Sequence, residues 1–401
     1  MVILEDVKKK ERFVNPNLTK EDLEKTLETL YLKTKNMMKI CKTGSYFIKA
    51  NTVNKKYDRI DNLNWIREKY ADNWTGGFWS GILWYAYLYS KDEEVLKMAK
   101  ENSRSMEARL YNYENGLRHL CDLDHHDIGF LYLPSTKADY DITKSQQALD
   151  TTLRSADLLM KRYIPTAGIL QAWGDMNDPN QRGRLIIDCN LNVPLLYFAS
   201  KVTKDPKYKE AADNHLSVAV KHLIREDAST YHTYFMDVFT GEPRFGNTFQ
   251  GYSDESCWAR GQAWGIYGFM LGYRYTKGRK YLDAAIKLTH YFLNRLPRDL
   301  VCNWDLVFLK DDDQRDTSAA AIALLGIYEI YLATNDEFYL NVVKKITKSL
   351  IDNYISDGDG FLDAGVYHFG EKLGINESNI FGDFFFYELI MKLSRDERTF
   401  W

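Results

Sequence analysis

The fold is decided by the stretch Asn190-Leu191-Asn192-Val193-Pro194-Leu195-Leu196-Tyr197-Phe198-Ala199, which is apolar on nearly every side, as expected of a helix buried inside the protein. Lys204-Asp205-Pro206 interrupts this helix, because Asp can cap the next helix and Pro suits its first turn. In the segment that follows, residues 207–215, charged and apolar positions alternate as they do on an outer helix. An inner helix followed by an outer helix is therefore the basic unit.

The same unit recurs along the chain. Apolar stretches begin near Gly76, Asp127, Asp188, Gly261, Asp316 and Gly382, at intervals of about 50 to 75 residues, which fit a helix pair with its loops. Such pairs can close into a barrel or stack into an open solenoid, and irregular, aromatic-rich loops favour the barrel. We predict an all-α fold, an (α/α)6 barrel of six helical hairpins, with short strands in loops at residues 231–235 and 301–305.

Composition excludes several classes of protein. The net charge of −3 and a pI near 6.3 argue against nucleic-acid binding. The N-terminus lacks the residue order of a signal peptide, and no uninterrupted apolar run reaches the ~18 residues of a membrane span. The five cysteines are scattered without CxxC spacing, which favours reduced thiols and a cytoplasmic location. We expect one domain over residues 1–401, in which about the first 20 residues lead into the first helix.

Two aspartates at the starts of apolar stretches are the candidate catalytic residues. Asp127 lies in the run 123–130 and Asp188 in the run 184–191. A carboxylate next to apolar residues is costly to desolvate unless it has partners or takes part in chemistry, and two of them suggest acid–base chemistry on a polar, ring-shaped substrate. The competing interpretation is that a helix-start Asp is an N-cap. We assign that role to Asp92 and Asp205, and expect Asp316 to cap a helix or to pair with Arg315.

No metal or cofactor is predicted. His125 and His126 could form a metal-binding pair, but no third ligand follows at a suitable spacing. The acidic run at residues 311–313 lacks the Gly and the terminal Glu of an EF-hand, so a solvated loop is expected there.

Several longer motifs resemble one known family, the unsaturated glucuronyl hydrolases of glycoside hydrolase family 88. The resemblance is carried, in chain order, by residues 73–79, 123–130, 171–174, 184–196, 231–233, 258–269 and 380–383. It implies an (α/α)6-barrel catalytic domain without a cofactor. The implied activity is hydrolysis that removes a 4,5-unsaturated uronic acid from the non-reducing end of oligosaccharides made by polysaccharide lyases. The implied partner is thus an unsaturated uronic-acid oligosaccharide, and we expect a monomer or a weak homodimer.

The resemblance also implies roles for individual residues. Asp188 matches the general acid/base, and Asp127 matches a second essential carboxylate. The implied substrate-binding residues are Trp74, His126, Trp173, His232, Gln250, Arg260, Trp264 and Tyr367. Within this set, Trp74 and Trp173 match aromatic walls, and His232 and Gln250 match residues near the substrate carboxylate and the water. Arg260 is hypothesised to bind the substrate's anionic group, and Arg260 and Trp264 lie on one helix face because they are four residues apart.

Departures from the family pattern leave the substrate and some alternatives open. Phe249 stands where a His is common in the family, and Glu371 in the late loop would repel a sulfate, which argues against a strong preference for sulfated disaccharides. The nearest alternative is an unsaturated rhamnogalacturonyl hydrolase, with similar chemistry on pectin fragments. A sugar epimerase would require a catalytic His pair. A non-catalytic carbohydrate-binding barrel would bind without turnover.

Overall fold

The computed structural model describes residues 4–62, 74–117, 123–178, 181–396 and 399–401. These residues form two concentric rings of helices, which confirms the predicted all-α fold and (α/α)6 barrel. The outer ring consists of α1 (Lys20–Cys41), α3 (Glu93–Glu114), α6 (Gln146–Met160), α8 (Pro206–His222), α10 (Arg279–Leu293) and α12 (Glu337–Tyr354). The inner ring consists of α2 (Gly76–Ser90), α4 (Ile128–Tyr132) with α5 (Ala138–Thr143), α7 (Pro194–Thr203), α9 (Ala259–Thr276), α11 (Thr317–Thr334) and α13 (Ile380–Arg395).

The two rings differ in how much of each helix is buried. Inner helix α11 is buried at every position from Thr317 to Ile327. Among the described residues it is also the one helix long and apolar enough to cross a membrane by length and composition, and 78% of that stretch is buried inside the protein. Outer helix α12 buries one stripe, at Tyr339, Val342, Val343, Ile346 and Leu350, whose spacing matches one face of a helix.

The ring is closed by its last helix. Inner helix α13 packs against α11 on one side and against α2 on the other, and its outer partner is α1, from the opposite end of the sequence. This closure excludes the open solenoid. Ahead of α1, a 3-10 turn at Lys10–Phe13 lies against α12, where the Phe13 ring meets the Phe338 ring edge-on at 6.0 Å.

Short strands lie in the loops between the helices, as expected. The described residues contain β1 (Tyr46–Ile48), β2 (Arg59–Asp61), β3 (Tyr163–Ile164), β4 (Ile169–Leu170), β5 (Arg184–Ile186), β6 (Thr233–Met236), β7 (Pro243–Asn247), β8 (Gly365–His368) and β9 (Leu373–Glu377). All pair antiparallel, and β5, β6 and β7 form one three-stranded sheet. The strand predicted at residues 231–235 is β6. The strand predicted at 301–305 is wrong, because this loop makes only isolated bridges, from Asn303 to Arg315 and from Trp258 to Asp305.

Four of the cysteines, Cys41, Cys189, Cys257 and Cys302, are free and buried. Cys121 lies outside the described residues.

Candidate active site

The candidate site lies at the end of the barrel where the inner helices begin. Asp127 immediately precedes α4, and Asp188 is the second residue of a 3-10 turn, Ile187–Leu191, that leads into α7. Neither side chain caps a helix. In contrast, the Asp92 and Asp205 carboxylates accept hydrogen bonds from the first turns of α3 and α8, as predicted. The two candidate carboxylates are therefore not occupied by capping.

His126 lies between the two carboxylates. Its Nε2 atom is 3.3 Å from Asp127 Oδ1 and 3.3 Å from Asp188 Oδ1. The His126 side chain is 1% exposed, and the aspartate side chains are 16% and 19% exposed, so the cluster is mostly shielded from water while part of each carboxylate remains accessible. Asp188 Oδ1 has no hydrogen-bond partner among the described residues. That oxygen is buried next to the His126 ring, so the exposed part of the Asp188 side chain is the part that can meet a bound molecule.

The pKa values of the Asp188 and Asp127 carboxyl groups are shifted in opposite directions. Burial, and then the charge of Asp127, raise the pKa of Asp188 well above its ordinary value. Burial also tends to raise the pKa of Asp127, but the adjacent His126 and His125 rings more than offset it, so the net pKa is lowered. Burial lowers the pKa of His126 to about 4, so its ring is neutral at pH 7. A proton shared by the pair therefore resides preferentially on Asp188, whose pKa is raised, and not on Asp127, whose pKa is lowered.

Asn192 joins the two segments that carry the aspartates. Its Oδ1 accepts a hydrogen bond from the backbone N–H of Phe130 at 2.7 Å, and its Nδ2 donates to the backbone oxygen of Asp188 at 3.4 Å. A Cβ at Gly129 would lie 2.4 Å from Asn192 Cα, so only Gly permits this approach. Sequence reasoning did not assign Asn192 a role. Its position four residues after Asp188 was the available signal.

Two predicted aromatic walls are present. The Trp74 indole N–H donates to the Tyr367 hydroxyl at 3.1 Å, and the Trp74 ring stacks on Phe381 at 5.4 Å. Trp173 lies against Phe249, with ring centroids 5.4 Å apart. Trp74 and Trp173 are both partly exposed, so each can offer a face or an edge to a sugar ring.

Trp264 does not reach the pocket surface. Its side chain is 1% exposed and packs between Phe130 and Phe385, with ring centroids 5.3 and 5.4 Å away. The indole fills the core of the barrel beneath the site. The expected stacking role next to Arg260 is therefore replaced by a packing role, and Arg260 instead lies over the Trp258 ring, 4.5 Å from its centroid.

Arg260 is engaged entirely by the protein. Its Nη1 atom contacts Asp316 Oδ2 at 3.0 Å and also donates to the Val366 carbonyl, while Nη2 donates to Gln250 Oε1 at 2.7 Å and to the Tyr367 carbonyl at 2.6 Å. These four contacts use the four hydrogens of its two terminal nitrogens. The geometry thus makes Arg260 a positioning residue for Gln250 and for residues 366–367, and it does not support direct anion binding.

Asp316 is both a cap and the partner of Arg260. Its Oδ1 accepts from the backbone N–H groups of Ser318 and Ala319, which confirms the capping role. The expected partner Arg315 instead pairs with Asp299 at 3.0 Å. Sequence reasoning missed the Arg260–Asp316 pair because 56 residues separate its members.

His232 holds the loop that carries Gln250. Its Nδ1 accepts hydrogen bonds from the backbone N–H of Phe249 at 3.0 Å and of Gln250 at 3.1 Å. Burial lowers the pKa of His232 to about 3, so the ring is neutral and its proton resides on Nε2. The ring is 4.4 Å from Trp258.

The site also contains a possible third metal ligand that the sequence argument lacked. One ligand atom each from His126, Asp127 and Asp188 lie within 4.8 Å of one another. The sequence argument considered His125 with His126, whereas the fold brings His126 together with Asp127 and with Asp188, which lies 62 residues further along the chain. A proton on Asp188 competes with a cation for the same oxygens, so this cluster suits acid catalysis.

The family profile of Glycosyl Hydrolase Family 88 matches residues 39–375. The chain belongs to glycoside hydrolase family 88. It is 39% identical to an unsaturated chondroitin disaccharide hydrolase of Streptococcus pneumoniae, with 100% of this chain and 99% of the relative covered. It is 38% identical to an unsaturated glucuronyl hydrolase of Bacillus sp. (strain GL1), with 88% of this chain and 96% of the relative covered.

Solved structures support the same assignment. The crystal structure of an unsaturated glucuronyl hydrolase from Streptococcus agalactiae superimposes with a TM-score of 0.90 at 39% identity, covering 100% of this chain and 99% of that chain. A mutant of that enzyme complexed with dGlcA-GalNAc6S superimposes with a TM-score of 0.83 at 37% identity, covering 100% of this chain and 99% of that chain. The family member is thus a glycosidase, and these relatives favour the glucuronyl hydrolase interpretation over the rhamnogalacturonyl, epimerase and non-catalytic alternatives.

Proposed function

We propose that this family 88 glycosidase removes a 4,5-unsaturated uronic acid from glycosaminoglycan-derived disaccharides, with Asp188 as the general acid/base. The observation that carries the proposal is the placement of the Asp188 carboxyl: it is mostly buried, shares the His126 ring with Asp127 at 3.3 Å, and keeps Oδ1 without a hydrogen-bond partner among the described residues. Burial and the charge of Asp127 raise its pKa well above the ordinary value. Relatives named as unsaturated chondroitin disaccharide and unsaturated glucuronyl hydrolases support the substrate class.

The substrate's vinyl ether explains the need for an acid held above its ordinary pKa. Asp188 transfers its proton to C4, a C4–H bond forms, and the positive charge develops on C5 and the ring oxygen. Water then bonds to C5 and returns a proton to the Asp188 carboxylate. The product is a hemiketal that opens the ring and releases the remaining saccharide. General acid catalysis of this kind typically contributes about 10²–10⁴-fold.

Asp127 has two tasks in this scheme. Its negative charge raises the pKa of Asp188 and so keeps the proton in place until the substrate arrives. The same charge stabilises the cation that forms when C4 is protonated, in a site where little water screens it. The His125 and His126 rings lower the pKa of Asp127 and keep it ionised for both tasks.

The pocket walls orient the ring. We assign stacking to Trp74 and Trp173, and polar contacts with the substrate to Tyr367, His232 and Gln250. His126, which is 1% exposed between the two carboxylates, acts through them. Arg260 acts on the substrate through Gln250, whose side-chain oxygen it holds. A cytoplasmic location and a monomeric or weakly dimeric state belong to the same proposal, and the four free, buried cysteines fit a reducing compartment.

The test follows the ultraviolet absorbance of the C4=C5 bond. Purified protein is mixed with lyase-made disaccharides from chondroitin, hyaluronan, heparin and pectin, and Asp188→Asn is the control. We expect wild type to remove the absorbance of at least one glycosaminoglycan disaccharide and the variant to leave it unchanged. Loss on the pectin product alone would favour the rhamnogalacturonyl alternative. Binding without any loss would favour a non-catalytic protein.

A further inference from the structure

Two arginines two positions apart, at and just before the start of β5, make no ion pair with a described residue. Arg184, the first residue of β5, lies over the Trp173 ring at 4.8 Å and over the Phe235 ring at 5.1 Å, measured from Cζ to the centroids. Arg182 lies over the Phe239 ring at 5.1 Å. We call Arg182 and Arg184 with these three rings the basic rim. Cations stacked on aromatic faces are held in place without using their N–H groups.

The N–H groups of the basic rim have no acceptor in the part of the chain that the structure describes. Neither guanidinium makes a hydrogen bond or an ion pair with a described residue, and Arg182 Nε is buried without a partner. Other half-buried or buried arginines, such as Arg162 and Arg274, pair with carboxylates at 2.7 and 2.6 Å. Arg184 is half-buried, and burial alone lowers its pKa. An unpaired, partly desolvated guanidinium binds an anion strongly.

Arg184 is close to Asp188 along the chain and touches a ring assigned to sugar stacking. Arg184 precedes Asp188 by four residues, so the two Cα atoms are at most roughly 13 Å apart, at ~3.3 Å per extended residue. Arg184 also lies on Trp173, the wall assigned to a sugar ring. A second saccharide that stacks on Trp173 therefore meets the Arg184 guanidinium, which lies on the same ring.

The two sides of the pocket mouth carry opposite charge. Phe249 is 53% exposed, and its ring lies between Trp173 at 5.4 Å and His368 at 5.2 Å. Arg184 is on the Trp173 side, and Glu371, 3.9 Å from His368, is on the other. An anionic group is attracted on the first side and repelled on the second, so the mouth can distinguish where the anion sits on the saccharide.

We propose that Arg184, supported by Arg182, binds an anionic group on the saccharide that follows the cleaved bond. The group is a sulfate ester on the second sugar or the carboxylate of a second uronate, which is the third sugar because uronates alternate with hexosamines. Both present two oxygens to a guanidinium in the same two-point manner. This inference rests on the proposed function, because it places the anion relative to the ring that Asp188 protonates.

The test compares three substrates whose reacting ring is the same. The first is an unsulfated unsaturated disaccharide, the second its sulfated counterpart, and the third an unsulfated tetrasaccharide with a second uronate. For wild type, Arg184→Gln and the control Arg104→Gln, an exposed arginine of outer helix α3, kcat and KM are measured on each. The readout for each protein is the ratio of its kcat/KM on an anionic substrate to its kcat/KM on the unsulfated disaccharide.

We expect Arg184→Gln to lower this ratio at least tenfold, through KM, because a hydrogen bond to a charged group is lost. A drop on the sulfated disaccharide assigns a sulfate, and a drop on the tetrasaccharide assigns a carboxylate. Ratios unchanged in Arg184→Gln, or lowered equally in Arg104→Gln, would overturn the inference. Turnover of the unsulfated disaccharide by wild type tests the proposed function separately. If wild type shows no turnover, the affinities of the same saccharides for wild type and for Arg184→Gln are compared by calorimetry. Equal affinities would overturn the inference.

Discussion

Among the described residues, three buried carboxyl groups have a raised pKa, but they differ in their hydrogen-bond partners. Burial raises the pKa of Asp383 and of Glu388 to about 7 in each case. Asp383 accepts hydrogen bonds from the Tyr57 hydroxyl at 2.9 Å and from two backbone N–H groups. Glu388 accepts from a tyrosine hydroxyl and, at 2.9 Å, from the Trp401 indole. Both are fully enclosed and fully partnered.

Asp188 shares the raised pKa but keeps one carboxyl oxygen without a hydrogen bond. Its Oδ1 has no hydrogen bond among the described residues, and its neighbour Asp127 carries a like charge. A hydrogen-bonded buried acid stabilises the fold, whereas a buried acid that faces a like charge and a pocket stores a proton for transfer. The comparison shows that a raised pKa alone does not identify a catalyst. The identifying features are the missing partner and the nearby ionised carboxylate.

The largest expected effect is a loss of kcat when Asp188, the acid that faces a like charge, is replaced. Asp188→Asn removes the transferable proton, so we expect kcat to fall about 10²–10⁴-fold, with no loss of folding stability because no hydrogen bond to Oδ1 is broken. Steady-state turnover and urea unfolding measure the two quantities. Wild-type kcat in the variant would contradict the role of Asp188.

The next effect concerns Arg260. Arg260→Ala leaves Asp316 as an unpaired charge that is 0% exposed, so we expect a loss of about 3–5 kcal/mol in the free energy of unfolding. The loss is read from urea unfolding curves, and Arg298→Ala, at an arginine that is 93% exposed, serves as the control. If stability is unchanged and only KM rises, Arg260 binds the substrate anion directly, as the sequence alone suggested.

A smaller stability effect is expected at the partnered acid. Asp383→Asn replaces one accepting oxygen by an NH₂ group that opposes a donor, which costs about 1–3 kcal/mol. The folded protein binds the Asp383 proton more tightly than the unfolded chain, so this group's contribution is full below its ordinary pKa of 3.8 and declines as pH rises to about 7. The penalty of the variant is therefore larger at pH 5 than at pH 8.

Urea unfolding at both pH values measures that difference, with Asp312→Asn on an exposed loop as the control. A penalty that grows with pH would mean that Asp383 is ionised in the folded protein. If Asp383→Asn lost as much kcat as Asp188→Asn, the distinction between a structural and a catalytic acid would fail.

The pH profile should shift modestly when the like charge is removed. Activity requires protonated Asp188 and ionised Asp127, so kcat/KM falls as pH rises through the raised pKa and as pH falls through the lowered one. In Asp127→Asn the residual activity should begin to fall at a lower alkaline pH than in wild type, because the Asp127 charge no longer raises the pKa of Asp188. An alkaline limb that stays in place would show that burial alone sets the pKa of Asp188.

Chelation is expected to have no effect. Incubation with EDTA followed by desalting should leave kcat unchanged, since the proposed chemistry needs only a proton at the His126, Asp127 and Asp188 cluster. Activity that disappears and returns with one divalent cation would make the cluster a metal site.

Much of the architecture could be predicted from sequence, because it depends on local patterns. The apolar stretch at residues 190–199 and the Asp205 cap specify an inner helix and the start of an outer one. The strand expected at 301–305 failed because an apolar, aromatic run also suits a loop packed under the barrel rim. The sheet of β5, β6 and β7 was only partly visible, since its strands are short.

The sequence could predict which residues form the candidate site, but not which hydrogen-bond and ion-pair partners those residues have. Asp127 and Asp188 stood out by their apolar surroundings, yet only the fold shows that neither caps a helix. Trp264 matches a family motif and nevertheless lies in the core, because helix position and not residue type decides which face meets the pocket. The links from Arg260 to Asp316 and to residue 367 span 56 and 107 positions, which no local pattern encodes.

The most direct test of the account is a titration of the aspartate carboxyl groups by ¹³C NMR, with the Asp188 resonance assigned by its absence in Asp188→Asn. The account predicts that this carboxyl is protonated at pH 7 in wild type and titrates well above its ordinary pKa, while the Asp127 carboxyl is already ionised. An Asp188 resonance that titrates near 3.8 would contradict the account, because the site would then hold no proton to transfer.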